Sequence, residues 1–269
     1  MTFGDNREHD ENGWIIYPRD VTYRAQYFVN WKDAGLPGDH PAKANLHLTE
    51  DLINYVTEPG ERVMDINGGS GSILIGVTTG RLVTSIEIAP HFINWQRLSL
   101  DKMITSGDAE IETGHMILEG NCQKYLPIPA SAIVFSPPYS KAMNADTKSG
   151  VYKDQPELAA AIEGYRYGGN ENIGNLDNFL YNRRMKEIYK LCFDSLSSGG
   201  KICILIKDRI SAGKRIDLGR PAVNMMGSVG FQMFEWVRWL TPGSSFANIH
   251  KSKGRRIVED EHIIIMEKP

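Results

Sequence analysis

Cysteine is scarce: Cys122, Cys192 and Cys203 stand far apart in 269 residues and form no metal-spaced pair. That excludes a disulfide scaffold and a zinc-finger type of site. A reducing cytosol is therefore expected, with Cys192 and Cys203 as small core residues. Long apolar runs are missing too, so nothing here reaches the roughly 20 residues that span a bilayer, and no membrane partner is expected. The first residues, MTFGDNREHDENG, are polar and acidic, unlike a secretory leader. Internal repeats and low-complexity blocks are absent, which excludes a solenoid. No lysine follows the glycine-rich loop at 67–71, so a nucleoside-triphosphate site is not expected there.

Strong charge of one sign is also lacking overall, the net value being −3. The distribution is uneven. Residues 201–256 hold eleven Lys/Arg against three Asp/Glu, leaving −11 on the remainder. Such asymmetry points to one phosphate-facing lobe. Its candidate contacts are Lys214, Arg215, Arg220, Lys251, Lys253, Arg255 and Arg256.

Residues 1–39 read as a polar N-terminal arm and 40–269 as one large domain. The pattern predicts a helix over 49–55, with Thr49 as its cap, and a strand over 62–66. A short apolar helix over 72–77 follows, then a strand over 82–88 and a helix over 90–106. Strands are predicted at 115–119, 132–135, 202–206, 231–240 and 262–266. Helices are predicted from about 179 to 196, stopped by Gly199-Gly200, and over 221–229. Trp236 and Trp239 read as core. Alternation of strands and helices implies a mostly parallel α/β sheet covered on both faces. The last two strands lack a helix between them and suggest an antiparallel strand at one edge. Residues 140–177, rich in Gly and Asn, read as a recognition insertion.

Asp65 ends the first strand, and Gly68, Gly69 and Gly71 follow it. Glycines there let the chain turn sharply and let a ligand approach the backbone. Glu87 ends the next strand, 22 positions on, where a carboxylate can accept both hydroxyls of a ribose. Two acids around a glycine turn suit a cofactor with an amino group and a ribose but no phosphate. S-adenosylmethionine has that chemistry. Ser136-Pro137-Pro138-Tyr139 follows a later strand. Two prolines stiffen the backbone and remove its donors. The Pro137 carbonyl is left to accept a hydrogen bond, with Tyr139 as an aromatic plate beside it.

In these segments the sequence resembles the amino-methyltransferases of DNA, which have a Rossmann-like class I fold with a seven-stranded sheet. Asp65-Ile66-Asn67-Gly68-Gly69-Ser70-Gly71 matches their glycine motif, and Ser136 to Tyr139 matches their catalytic Asp/Asn/Ser-Pro-Pro-Tyr. His40-Pro41-Ala42-Lys43 is similar to the segment that encloses the methionine end of their cofactor. Gly120-Asn121 is similar to their Gly-Asp at its adenine. Asn172-Ile173-Gly174-Asn175 and Ser198-Gly199-Gly200-Lys201 are also similar, and the motif order is gamma-like. Ile66-Asn67 stands where the family has Pro-Phe, with loss of an apolar contact, and Asn121 stands where it has an acid.

The resemblance implies methyl transfer from S-adenosylmethionine to cytosine N4 or adenine N6 in double-stranded DNA. The site would comprise His40, Pro41, Ala42, Lys43, Asp65, Asn67, Gly69, Gly71, Glu87, Asn121 and Ser136 for the cofactor. Ser136, Pro137, Pro138 and Tyr139 would act on the flipped base. A homodimer and a cognate restriction nuclease are compatible with it, and no metal is implied. Two other readings remain open: an RNA amino-methyltransferase, and a non-catalytic nucleic-acid-binding subunit of the same fold.

Overall fold

The computed structural model describes residues 2–36, 38–40, 43–108, 114–138, 169–211, 213–241, 254 and 256–269. Residues 140–168 of the expected recognition insertion lie outside them.

Runs of Val, Ile and Leu bounded by glycine or proline turns form the strands, and buried apolar residues at helical spacing form the helices between them. The strands are β1 (Ile15–Ile16), β2 (Arg62–Asp65), β3 (Leu82–Glu87), β4 (Met116–Glu119), β5 (Ala130–Phe135), β6 (Leu196–Ile206), β7 (Arg209–Ser211), β8 (Lys214–Ile216), β9 (Gln232–Leu240) and β10 (Asp260–Glu267). The helices are α1 (Val21–Tyr27), α2 (Leu46–Val56), α3 (Pro90–Thr105), α4 (Asn178–Ser195) and α5 (Gly219–Ser228), with a 3-10 segment at Ser72–Thr79.

Eight strands form one sheet in the order β1-β9-β10-β6-β5-β2-β3-β4, and β7 and β8 form a separate hairpin. All neighbours in the large sheet are parallel except at β10, which runs antiparallel to both β6 and β9. The reversed strand therefore lies inside the sheet, not at its edge. Its sequence explains why. His262, Ile263, Ile264, Ile265 and Met266 are all buried, as required of a strand covered on both faces.

Side chains alternate between two cores. Ile202, Ile204 and Ile206 of β6 face α4 and α5, packing with Met185, Ile188, Tyr189, Cys192 and Met226. Cys203 and Leu205 face the other way, toward α2 and the 3-10 segment, with Leu48, Leu52, Ile73 and Leu74. Trp236 and Trp239 fall on opposite faces, as positions three apart in a strand must. The N-terminal arm belongs to the same domain. Ile15 and Ile16 pair with Trp239 and Leu240, and Phe3, Ile15, Tyr17 and Phe28 are buried in the second core.

Two local expectations are corrected. Asn45, not Thr49, caps α2: its side chain accepts from the backbone N–H groups of His47 (2.9 Å) and Leu48 (3.2 Å). Gly199-Gly200 does not stop α4. That helix ends at Ser195 and β6 begins at Leu196, with the glycines in a register shift between Leu196 and Lys201.

Candidate active site

Open parallel sheets bind ligands beyond the carboxyl ends of their strands, where the strand order reverses. The cleft here lies there. It is lined by Asp65 to Ser70 after β2, by Glu87 and Ile88 after β3, and by Gly120 to Cys122 after β4. Ser136 to Pro138 after β5 and the segment from Glu171 to Asn175 complete it.

Close packing forces the turn after β2. A Cβ added at Gly68 would come 2.1 Å from the Ser85 hydroxyl and 2.9 Å from Gln96 Nε2. Gly71 has φ +81°, a left-handed conformation that glycine adopts without strain, and a Cβ there would come 2.7 Å from Gln96 Cγ. Gln96, fully buried on α3, donates from Nε2 to the Gly69 carbonyl at 2.8 Å. The sequence reading did not single out Gln96. Its signal would have been a lone buried amide on a helix packed beside a glycine turn.

Glu87 ties the turn to the cleft. One carboxylate oxygen accepts from the Gly69 N–H at 2.7 Å and the other from the Ala89 N–H at 2.8 Å. Both carboxylate oxygens are thus held against backbone N–H groups where the carboxylate lines the cleft. Asp65 accepts from the Asn67 N–H at 2.8 Å. Burial raises its carboxyl to about 7, with a further upward push from the charge of Glu87. Among the described residues, the buried Asn67 Oδ1 has no hydrogen-bond partner. Asp65, Asn67 Oδ1 and Glu87 thus gather acceptors in the cleft, which suits a cationic amine and a ribose. Ile66, Ile73, Ile86 and Ile88 wall it, so Ile66 supplies apolar surface where the sequence suggested loss of it.

His40 packs against the same loop. A Cβ at Gly69 would lie 2.8 Å from its Nε2, and its ring tilts on Phe92 at 4.9 Å between centroids. Burial, with the charges of Lys43 and Arg24 beside it, lowers its pKa to about 3, so the imidazole is neutral. Lys43 lines the cleft and is ion-paired with Asp39. Pro41 and Ala42 lie outside the described residues. Arg24 stands behind this wall, buried, and donates to the Ala44 carbonyl at 2.6 Å and the Ser72 hydroxyl at 3.3 Å. It too escaped the sequence reading.

Asn121 lines the cleft with its side chain already engaged. Its Oδ1 accepts from the Gln123 N–H at 3.0 Å, and its Nδ2 donates to the Glu171 carbonyl at 3.3 Å. An acid could make the first bond but not the second. The amide thus ties the loop after β4 to the segment 171–175, which Lys124 also holds through Glu171 at 3.2 Å.

In the turn after β5, Ser136 and Pro138 are half-buried and Pro137 is buried. The Ser136 hydroxyl donates to the Leu205 carbonyl at 3.0 Å. Tyr139 lies outside the described residues. The chain thus brings His40, Lys43, Asp65, Asn67, Gly69, Glu87, Asn121, Ser136, Pro137 and Pro138 to one cleft, with Gly71 in the turn below it.

The basic residues fare differently. Arg215 is an internal ion-pair residue, which corrects its assignment as a phosphate contact. It donates to Asp208 at 2.6 Å and to both oxygens of Asp260 at 2.8 and 2.6 Å. Arg220 is exposed, with its guanidinium 4.8 Å above the Trp236 ring. Lys214 and Arg256 are exposed. Lys251, Lys253 and Arg255 lie outside the described residues.

Among solved structures, the chain is similar to an S-adenosylmethionine-dependent methyltransferase from Methanosarcina mazei. The two are 12% identical, the match covers 81% of this chain and 96% of that one, and the TM-score is 0.50. The chain has the Rossmann-like class I methyltransferase fold. A methyltransferase from Pyrococcus furiosus matches at 13% identity over 93% of this chain and 94% of that one, with a TM-score of 0.48. TrmN from Thermus thermophilus matches at 15% identity over 89% of this chain, with a TM-score of 0.48, and this chain spans about half of its length (52%). No protein-family model and no curated protein matches the chain. Among the described residues, no helix is long and apolar enough to cross a membrane.

Proposed function

We propose that this chain is an S-adenosylmethionine-dependent methyltransferase acting on the exocyclic amino group of cytosine or adenine in DNA. One observation carries the reading: the Ser136-Pro137-Pro138 turn and the acceptor-rich end at Asp65, Asn67 and Glu87 open into the same cleft. A reagent with a cationic amino acid end and a ribose fits the second, and a planar amine fits the first.

When bound, S-adenosylmethionine supplies an electrophilic methyl on sulfur. Glu87, a carboxylate lining the cleft at the end of β3, would accept from the ribose hydroxyls, and Asp65 and Asn67 Oδ1 would accept from the ammonium. Asn121 and Ile88 would flank the adenine. In this reading the target base leaves its stack, at a cost of a few kcal/mol. The Ser136 oxygen and the Pro137 carbonyl accept its amino N–H bonds. Those bonds draw the nitrogen lone pair out of conjugation and aim it across the cleft. The resemblance assigns Tyr139 the role of a stacking plate, and base–aromatic stacking is worth about 1–3 kcal/mol per base. Positioning and fixed dipoles supply the acceleration, and no strong general base is needed, because the nitrogen loses its proton readily once methylated.

The test is transfer of labelled methyl from S-adenosylmethionine into duplex DNA and, in parallel, into RNA of matched sequence. Label in DNA supports the reading. Label in RNA alone replaces DNA by RNA as the substrate. Label in neither, with no cofactor binding by calorimetry, overturns the enzyme.

A further inference from the structure

The hairpin of β7 and β8 stands apart from the main sheet, and nothing in the chemistry above uses it. It begins three residues beyond Ile206, the last residue of β6. The Ser136 hydroxyl meets the Leu205 carbonyl at this carboxyl end of β6. The pairing sets its two faces. Residues directly opposite in an antiparallel pair share a face. Arg209 pairs with Ile216, Ser211 with Lys214, and Ile210 with Arg215. Ile210 and Arg215 are therefore on one side, and Arg209, Ser211, Lys214 and Ile216 on the other.

The Arg215 side is bolted down. Its guanidinium bridges Asp208, 6% exposed, and Asp260, 1% exposed. Asp260 also accepts from Arg238 at 2.7 Å. Asp208 meets His262 Nε2 at 3.0 Å and accepts from the Leu218 N–H at 2.9 Å. The Trp236 indole, a donor only, points at His262 Nδ1 at 3.0 Å. His262 therefore carries its proton on Nε2 and gives it to Asp208. Although Asp208, Asp217 and His262 come close together, both nitrogens of the imidazole are spent inside this network. Its role is to anchor, since a buried charge held on several sides is costly to displace.

The opposite side faces outward. Arg209, Ser211 and Lys214 are exposed, and neither Arg209 nor Lys214 forms an ion pair with a carboxylate among the described residues. We infer that this hairpin is a docking ribbon for a nucleic-acid duplex, with Arg209 and Lys214 on its phosphates and Arg215 as the bolt that aims it. The inference rests on the reading of the cleft as a nucleic-acid methyltransferase site. Three features of the ribbon fit a duplex. Its two strands have the width a major groove admits. Its outward cations, Arg209 and Lys214, form no ion pair among the described residues, which leaves their charge for phosphates. Its base is fixed beside the acceptor turn that would receive an extruded base.

The experiment uses the full chain, a short mixed-sequence DNA duplex and its single strands, read by fluorescence anisotropy across a salt series. The double variant Arg209→Ala/Lys214→Ala should bind the duplex about tenfold more weakly at about 0.1 M salt, with a log–log salt slope smaller by about 2. Both positions are exposed, so circular dichroism and the affinity for S-adenosylhomocysteine should match wild type. Equal affinity and equal slope in the two proteins would overturn the ribbon while leaving the methyltransferase reading standing. A wild-type chain that binds S-adenosylhomocysteine but no nucleic acid would overturn both. A loss confined to single strands would overturn the duplex as partner.

Discussion

The Ser136 hydroxyl donates its proton to the carbonyl oxygen of Leu205, across the β5–β6 pair, at 3.0 Å. A hydroxyl has one proton and two lone pairs. With the proton committed to the sheet, the oxygen faces the cleft as an acceptor only. That is the polarity needed to receive an amine N–H and not to donate to a ring nitrogen.

It follows that Ser136→Ala removes an oriented acceptor while leaving the carboxylates of Asp65 and Glu87 in place. The turnover number should fall by about 100-fold, the scale set by loss of one preorganised hydrogen bond. The dissociation constant for S-adenosylhomocysteine should stay within about twofold of wild type. Steady-state kinetics with calorimetry checks both. A loss of cofactor affinity in step with the rate would remove Ser136 from this role.

Glu87→Gln tests the ribose contact. One amide N–H2 would face the Gly69 or Ala89 N–H where an oxygen now accepts. Hydrogen bonds to a charged group contribute about 1.5–3 kcal/mol. The variant should bind S-adenosylhomocysteine about 10–100-fold more weakly, measured by calorimetry.

Asp65 makes pH a reporter. Its carboxyl titrates near 7 in the folded chain, above its ordinary 3.8, because burial disfavours the charge. A raised acid binds its proton more tightly folded than unfolded. Its contribution to stability is thus full at pH below about 4 and is lost as pH rises through about 7. Asp65→Asn removes that loss. The ligand-free variant should melt at least about 4 °C above wild type near pH 8, with the gap closing toward pH 4. Cofactor binding runs the other way: the ionised carboxylate is the better partner for an ammonium, so wild-type affinity should rise between about pH 6 and 8. Calorimetric scans and titrations over that range decide it.

Gly68→Ala should destabilise by about 1–3 kcal/mol, as overpacking does. The new methyl would meet Ser85 and Gln96, both buried and neither able to retreat. Urea titration measures the change.

The cofactor end was readable in the sequence because its signals are local. Asp65, the glycines and Glu87 sit at strand ends whose apolar runs announce them, and the Ser136 turn is fixed by its own prolines. What escaped depends on pairings distant in sequence. Arg215 reads as a free cation until the sheet brings Asp260, 45 positions away, against it. Gln96 and Arg24 look like surface residues of helices until α3 packs on the glycine turn and α1 on the segment before α2. The interior place of β10 was legible in its unbroken His262 to Met266 run, yet the missing helix before it pointed to an edge.

The central claim is that the cleft delivers a methyl group to an amino nitrogen held by Ser136 and Pro137. Its most direct measurement is nucleoside mass spectrometry of DNA and RNA incubated with the chain and S-adenosylmethionine. The account predicts N4-methylcytosine or N6-methyladenine, abolished or strongly reduced in Ser136→Ala. Methyl found on a ring carbon or a ribose oxygen, or on no nucleoside at all, would contradict it.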